Sequence, residues 1–368
     1  MYQTCCMPNY IITISAFFTA FIITYLVIPV IIRLASMKGL VAKPNERTSH
    51  TTLIPTLGGL GIFMGSMLSF TLFSDFAVFP SLQYFLFAML LVFFLGMKDD
   101  VVALAASTKA IGLLLAVSVL VILGEVRITS FQGIFGIGEI NYWVSVGFTI
   151  FVFITIINAV NLIDGINGLC ALLSLISALS FGIWFILEGG IRSVQIVILI
   201  AALLGSLIAF LRFNVTPAKI FMGDTGSLML GYILAFVAVM FIEINESYVG
   251  LYKLKLSPVV AVGFLALPLA DMAKVFVIRI FRGKSPFKAD KRHVHHLLID
   301  FGLSHTQAAL ILSGASILLI LLSLYFQEFR AKTNAILILL VALIIVIIPN
   351  IINHYRGKHL QNKTDDKP

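Results

Sequence analysis

An all-α, polytopic membrane bundle is the fold class this sequence predicts, and three observations carry that expectation. Hydrophobic residues make up 60% of the 368 and charged residues 11%. Mean hydropathy is +1.06. Eleven apolar runs of spanning length follow one another between short polar breaks. A water-facing surface needs far more polar side chains than this, so soluble classes are excluded.

Each run is set by the bilayer: about 20 residues at 1.5 Å rise cross a ~30 Å hydrocarbon core as a helix. The runs lie near 10–33, 57–74, 82–97, 109–124, 143–160, 165–187, 192–212, 226–242, 257–280, 305–326 and 333–353. No basic residue precedes the first run and no small-residue cleavage site follows it, so it reads as an uncleaved helix. The segment 126–142 mixes Val, Ile, Phe, Gly and Glu as a small hairpin would. Loops are short and no repeat is visible, so residues 1–368 form a single domain. Within it, 281–304 is an amphipathic arm at the membrane surface and 354–368 a polar tail.

Orientation follows from Lys and Arg, which are retained in cytoplasmic loops. With the N-terminus outside, nineteen of the 25 fall on the inner side, including the seven from Lys274 to Arg292. The expected topology is therefore N-terminus out and C-terminus in, with every polar cluster at the cytoplasmic face. The net charge of +8 then reflects loops facing anionic headgroups, not nucleic acid. Three cysteines, Cys5, Cys6 and Cys170, form no framework.

Four clusters interrupt the apolar background. Lys98, Asp99 and Asp100 end the third run. Adjacent carboxylates at a low-dielectric boundary raise one pKa toward neutrality, as a general base requires. Asn158, Asn161, Asp164 and Asn167 recur every three residues, a polar stripe that apolar packing does not explain. Gly165 and Gly168 beside it allow close backbone approach, and its oxygens suit a hard cation such as Mg²⁺ with phosphates completing the shell. The third cluster is GDTGS, where Asp224 and Thr225 start a helix whose amides and dipole favour an anion. The fourth is KADKRHVHH. Arg292, His293, His295 and His296 there read as a cationic grip on phosphate. Zinc is disfavoured, because neighbouring histidines diverge and no HExxH frame is present. A weaker candidate is Asp271, an intramembrane carboxylate that functions by default unless Lys274 one turn on simply pairs with it.

These motifs carry a resemblance. PNERTSHTTLIPTLGG, MKDD, NAVNLIDGINGL, FNVTPAKIFMGDTGSL and HVHH, in that order, make the chain similar to the polyprenyl-phosphate N-acetylhexosamine-1-phosphate transferases of the glycosyltransferase 4 type. Within them it resembles the bacterial undecaprenyl-phosphate N-acetylglucosamine-1-phosphate transferases. The resemblance implies transfer of a sugar 1-phosphate from a UDP-N-acetylhexosamine to undecaprenyl phosphate at the cytoplasmic membrane, with release of UMP. It implies Mg²⁺, or Mn²⁺ in its place, held by Asp224 with Asn161 and Asp164. It also implies that Asp99 and Asp100 handle the lipid phosphate, that Asn214 and Phe221 line a uridine pocket, and that Arg292, His293, His295 and His296 hold phosphates or sugar. Membrane lipids are the expected surroundings, nucleic acid is not a partner, and a homodimer stays open. Asn167 stands where many bacterial members have a carboxylate, which removes a charged role at that position. The HxHH form, without the longer histidine run of the muramoyl-pentapeptide transferases, favours a simple amino-sugar donor. A polytopic transporter is the different-class alternative, but it would place carboxylates near the midplane in two related halves.

Overall fold

A computed structural model describes residues 9–39, 41–42, 54–281, 283, 293–326 and 340–348. It is all-helical apart from one two-stranded pairing, as the composition demands. The helices are α1 (Asn9–Lys38), α2 (Gly58–Phe73), α3 (Ser81–Val101), α4 (Ala106–Ser118), α5 (Tyr142–Ile163) and α6 (Leu169–Glu188). They continue with α7 (Ile191–Asn214), α8 (Gly223–Ser247), α9 (Ser257–Phe264), α10 (Ala266–Phe281), α11 (Val294–Asp300) and α12 (His305–Phe326). Strands β1 (Val41–Ala42) and β2 (Ile54–Pro55) pair antiparallel. A π-helical turn over Val119–Leu123 prolongs α4.

Among the described residues, eight helices are long and apolar enough to span a bilayer, and α9 with α10 makes a ninth if counted as one bent span. The expected eleven is thus not reached among the described residues. Helix α2 has only 16 residues, short for a full crossing. The run expected at 333–353 lies mostly outside the described residues, with 340–348 helical.

The run at 257–280 breaks for a local reason. Pro268 lacks the amide that would bond the carbonyl of Phe264, and the chain bends by 79° between α9 and α10. Ser177 Oγ donates to the freed Phe264 carbonyl at 2.7 Å instead. The segment 126–142 is less regular than a hairpin: a single antiparallel bridge joins Ser130 to Glu139. Glu243 holds it from α8 by accepting from the Thr129 amide and hydroxyl, each at 2.8 Å.

Helix α8 is the axis of the bundle and is apolar on all sides, the pattern of a helix enclosed by others. Its residues from Thr225 to Ile242 are all buried, against α2, α3, α5, α6 and α9. Phe85 stacks on Tyr232, whose hydroxyl donates to the Phe85 carbonyl at 3.1 Å, so the one polar atom of that buried ring is satisfied. Helix α1, by contrast, packs on α7 and α2 and exposes large apolar side chains such as Ile14, Phe18 and Leu26, as a lipid-facing helix does.

Two glycines let the bundle close at the start of α8. A Cβ on Gly59 would stand 2.1 Å from the Gly226 amide nitrogen, and one on Gly96 would stand 2.6 Å from Thr225 Cα. Only glycine permits these approaches. They bring the end of α3 and the start of α2 onto the first turn of α8, where the polar clusters meet.

Candidate active site

Helix α8 opens with four amides that have no intrahelical partner. Asp100, at the end of α3, supplies one. Its Oδ1 accepts from the Asp224 amide at 2.7 Å, and its Oδ2 accepts from the Thr225 amide at 2.9 Å and from the Thr225 hydroxyl. The anion expected at this helix N-terminus is therefore a side chain of the protein itself. Asp100 thus caps α8 and also lines the cavity that opens above it.

Asp99 points elsewhere. Its Oδ1 accepts from the Leu104 amide at 2.7 Å, and its Oδ2 pairs with Lys109 Nζ at 2.9 Å. The same Nζ reaches Asp224 Oδ2 at 2.9 Å. Lys109, on α4, is thus the bridge between the two motifs. Lys109 was not among the candidate residues read from the sequence; its place in the first turn of the helix that follows a DD pair was the available signal. A carboxylate held in an ion pair is a poor base, so the geometry makes Asp99 the residue that holds Lys109.

On the other side of Asp224 stands α5. Asn161 Nδ2 donates to Asp224 Oδ1 at 2.6 Å and to Ser227 Oγ at 2.8 Å. Since both donations use the amide nitrogen, the Asn161 carbonyl oxygen remains for a cation. Asp164 follows as the C-cap of α5. Burial, then the charges of Asp224 and Asp100, push its carboxyl up to about 8. That is the electrostatic mark of a place where negative charge lacks a counter-charge. The polar stripe is only partly used: Asn158 turns back to the Ile154 carbonyl of its own helix at 2.7 Å. Asn167 donates to Thr216 Oγ1 at 3.2 Å.

A cavity of about 390 Å³ opens over these groups, lined by Asp100, Asn161, Asp164, Asp224, Asn214, Phe221, His296 and His305 among others. The expected residues that reach it come from four separate motifs. Phe221 is fixed by its backbone, whose amide donates to the Pro55 carbonyl at 2.8 Å and whose carbonyl accepts from Gly58 at 2.9 Å. Asn214 lines the cavity, yet its amide is committed to the backbone, accepting from Gly168 at 2.7 Å and donating to Ile220 at 2.8 Å. It shapes the pocket by joining two loops. His305, at the start of α12, was not foreseen; its Nδ1 accepts from the Asn167 amide at 3.4 Å.

The histidine cluster divides. His296 reaches the cavity. His293 does not: it is 4% exposed, and its Nδ1 meets Asp271 Oδ2 at 2.7 Å. His295 is also buried, both ring nitrogens lack a partner among the described residues, and burial followed by the charge of His296 pushes it down to about 3. His293 is committed to Asp271 and His295 is a neutral, enclosed ring, so neither of the two lines the cavity as a cationic phosphate grip. Instead His295 fills the space beside Gly165, where a Cβ would lie 2.0 Å from its Nε2. Arg292 lies outside the described residues, as do Lys288, Lys291, Cys5 and Cys6. Cys170 is buried and unpaired.

Among the described residues, no three His, Cys, Asp or Glu side chains form a set that could hold a metal ion. Mg²⁺ does not need one: it is commonly held by one or two carboxylates, with substrate phosphates and water completing the octahedron. Asp164, Asp224 and the Asn161 carbonyl oxygen fit that pattern.

Comparison with known proteins agrees with this geometry. The model of glycosyl transferase family 4 matches residues 82–242, from α3 through α8. The undecaprenyl-phosphate alpha-N-acetylglucosaminyl 1-phosphate transferase of Haemophilus influenzae is 33% identical over 305 residues, covering 81% of this chain and 82% of the relative. The chain belongs to glycosyl transferase family 4. The decaprenyl-phosphate N-acetylglucosaminephosphotransferase of Mycobacterium tuberculosis is 32% identical over 314 residues, 80% of this chain and 77% of that protein. A probable undecaprenyl-phosphate N-acetylglucosaminyl 1-phosphate transferase of Bacillus subtilis is 29% identical over 81% of this chain and 80% of its own length. As a family 4 member, this protein brings Asp99, Lys109, Asn161 and Asp224 together where α3, α4, α5 and α8 meet.

Proposed function

We propose that this protein transfers N-acetylglucosamine 1-phosphate from UDP-N-acetylglucosamine to undecaprenyl phosphate, releasing UMP and starting a lipid-linked glycan. The observation that carries the reading is the cavity at the head of α8, where Asp164 and Asp224 face a space large enough for a nucleotide diphosphate. The names of the relatives support the same donor and acceptor class, and none of them points to a muramoyl-pentapeptide substrate. A transporter is disfavoured because the carboxylates of this cavity cluster at the ends of helices rather than along their middles.

The reaction is an in-line displacement: an oxygen of the lipid phosphate attacks the β-phosphorus of the donor, the bridging P–O bond breaks, and UMP leaves with that oxygen. A phosphate monoester has its second pKa near 6, so the attacking dianion is already abundant at neutral pH and needs no strong base. A bound Mg²⁺ would polarise the diphosphate and neutralise developing charge on the leaving group. Asp164 and Asp224, with the Asn161 carbonyl, would hold it. Lys109, fixed between Asp99 and Asp224, presents a positive charge to the acceptor phosphate. Asp100 fixes the first turn of α8 and thereby the direction of Asp224. Phe221 offers an aromatic face to the uracil, and His296 a hydrogen-bonding group to the sugar phosphate.

The basic-residue distribution supports an N-terminus outside, a C-terminus inside and a cavity that opens at the cytoplasmic face of the inner membrane. A lipid phosphate at that boundary and a soluble nucleotide sugar could both reach it. The test uses full-length purified protein in lipid, radiolabelled UDP-N-acetylglucosamine and undecaprenyl phosphate, with and without Mg²⁺. The expected result is labelled lipid and stoichiometric UMP only with all three components. UMP release without acceptor would overturn direct attack, and no labelled lipid under any condition would overturn the transferase reading.

A further inference from the structure

The buried group formed by Asp271, Lys274 and His293 lies outside the cavity and belongs to no step above. Asp271, on α10, is 1% exposed and takes three donors. Lys274 Nζ donates to its Oδ1 at 2.9 Å, the Val294 amide donates to the same oxygen at 2.9 Å, and His293 Nδ1 meets its Oδ2 at 2.7 Å. An ionised carboxylate only accepts, so Nδ1 of His293 carries the proton. One carboxylate thus holds both the His293 side chain and the first amide of α11.

Helix α11 has seven residues and cannot hold itself in place by its own hydrogen bonds. Its position matters because it touches the cavity twice. His296 and Ile299 line the cavity, and His295 packs on Gly165, next to Asp164. A shift of α11 therefore moves a cavity wall and loosens the turn that carries Asp164.

We propose that Asp271 is a positioning residue for donor binding: by clamping His293 and the Val294 amide it sets α11, and through α11 the His296 and Asp164 side of the cavity. The proposal rests on the transferase reading for its kinetic consequence and on the hydrogen bonds alone for the clamp. Among the described residues Lys109 pairs with Asp99 and Asp224 and with none of these groups, so the effect falls on the donor rather than on the lipid acceptor.

The experiment compares Asp271→Asn, His293→Ala and His293→Asn in the full-length protein, reading KM for donor and acceptor separately and deuterium uptake across residues 294–300. Asp271→Asn and His293→Ala are expected to raise the donor KM about 10-fold or more, since a displacement of an ångström costs up to ~10² in rate, with the acceptor KM within about twofold. The amide nitrogen of Asn can stand near the place of Nδ1, so His293→Asn is expected to restore most of the loss. Uptake across 294–300 is expected to rise in the first two variants and not in the third. Because removing one member of a buried ion pair can prevent folding, the two His293 variants carry the test should Asp271→Asn not accumulate. Unchanged donor KM in folded variants, equal losses for donor and acceptor, or His293→Asn no better than His293→Ala would each overturn the proposal. Absence of transfer by the unmodified protein would instead overturn the transferase reading, and unchanged uptake in Asp271→Asn or His293→Ala would overturn the clamp independently of activity.

Discussion

Two carboxylate–lysine groups in this protein are built from the same residue types and differ in what surrounds them. At the head of α8, Lys109 stands between Asp99 and Asp224, with Asp100 and Asp164 beside them on the cavity wall. In α10, Asp271 meets Lys274 and His293 with every one of its bonds directed at protein. The first group has four carboxylates and one lysine at a partly open site; the second balances one carboxylate against one lysine in full burial. Surplus carboxylates beside a cavity are relieved by taking up a proton, as Asp164 does, or by a ligand of opposite charge, whereas balanced buried charge holds structure. The difference separates chemistry from scaffolding without reference to any relative.

Neutralising a member of the first group should break function, and the largest effect is expected at Asp224. Asp224→Asn should lower turnover at least ~10³-fold in protein that still folds, because it removes both the bridge to Lys109 and a cation-holding carboxylate. Steady-state transfer with lipid acceptor checks this. Lys109→Ala and Asp99→Asn are each expected to lose roughly 10²-fold, and the double variant no more than the worse single one, because the two act as one unit. Additive losses would show that Asp99 has its own part in the chemistry.

Gly165→Ala sharpens the contact between the two regions. The new Cβ would collide with His295, so donor kcat/KM is expected to fall about 10-fold with little change for the acceptor. The smallest effect is on stability and runs the other way. The Asp164 carboxyl sits at about 8, above its ordinary value of 3.8. The folded state therefore binds more protons than the unfolded one between those values, and stability falls as pH rises across that window. Asp164→Asn removes the penalised charge. Its thermal midpoint at pH 8 without divalent ions is expected to exceed the unmodified protein's by a few degrees, and the gain should vanish near pH 4.

Much of this was legible in the sequence, and the missing parts share a cause. Apolar runs of spanning length show the helices directly, and oxygen-bearing motifs in an apolar background mark the cavity. Pairings across long separations leave no local trace: Asp100 caps a helix 124 residues away, and His293 pairs with Asp271 22 residues back. Hence Asp100 and Asp99 read as free catalytic groups, His293 and His295 as phosphate ligands, and Lys109 as a loop charge. The break at Pro268 was visible as a proline but not as a bend of 79°, because a proline inside an apolar run can also be carried in a straighter helix when neighbours satisfy the freed carbonyl.

We propose that the unbalanced group at the head of α8 holds a divalent cation and that the balanced group in α10 does not. Mn²⁺ binding in the presence of UDP, followed by electron paramagnetic resonance on the full-length protein, tests it most directly. The prediction is one Mn²⁺ per chain, lost in Asp224→Asn and Asp164→Asn and retained in His293→Ala. Undiminished Mn²⁺ binding in Asp224→Asn, or its loss in a folded His293→Ala protein, would contradict it.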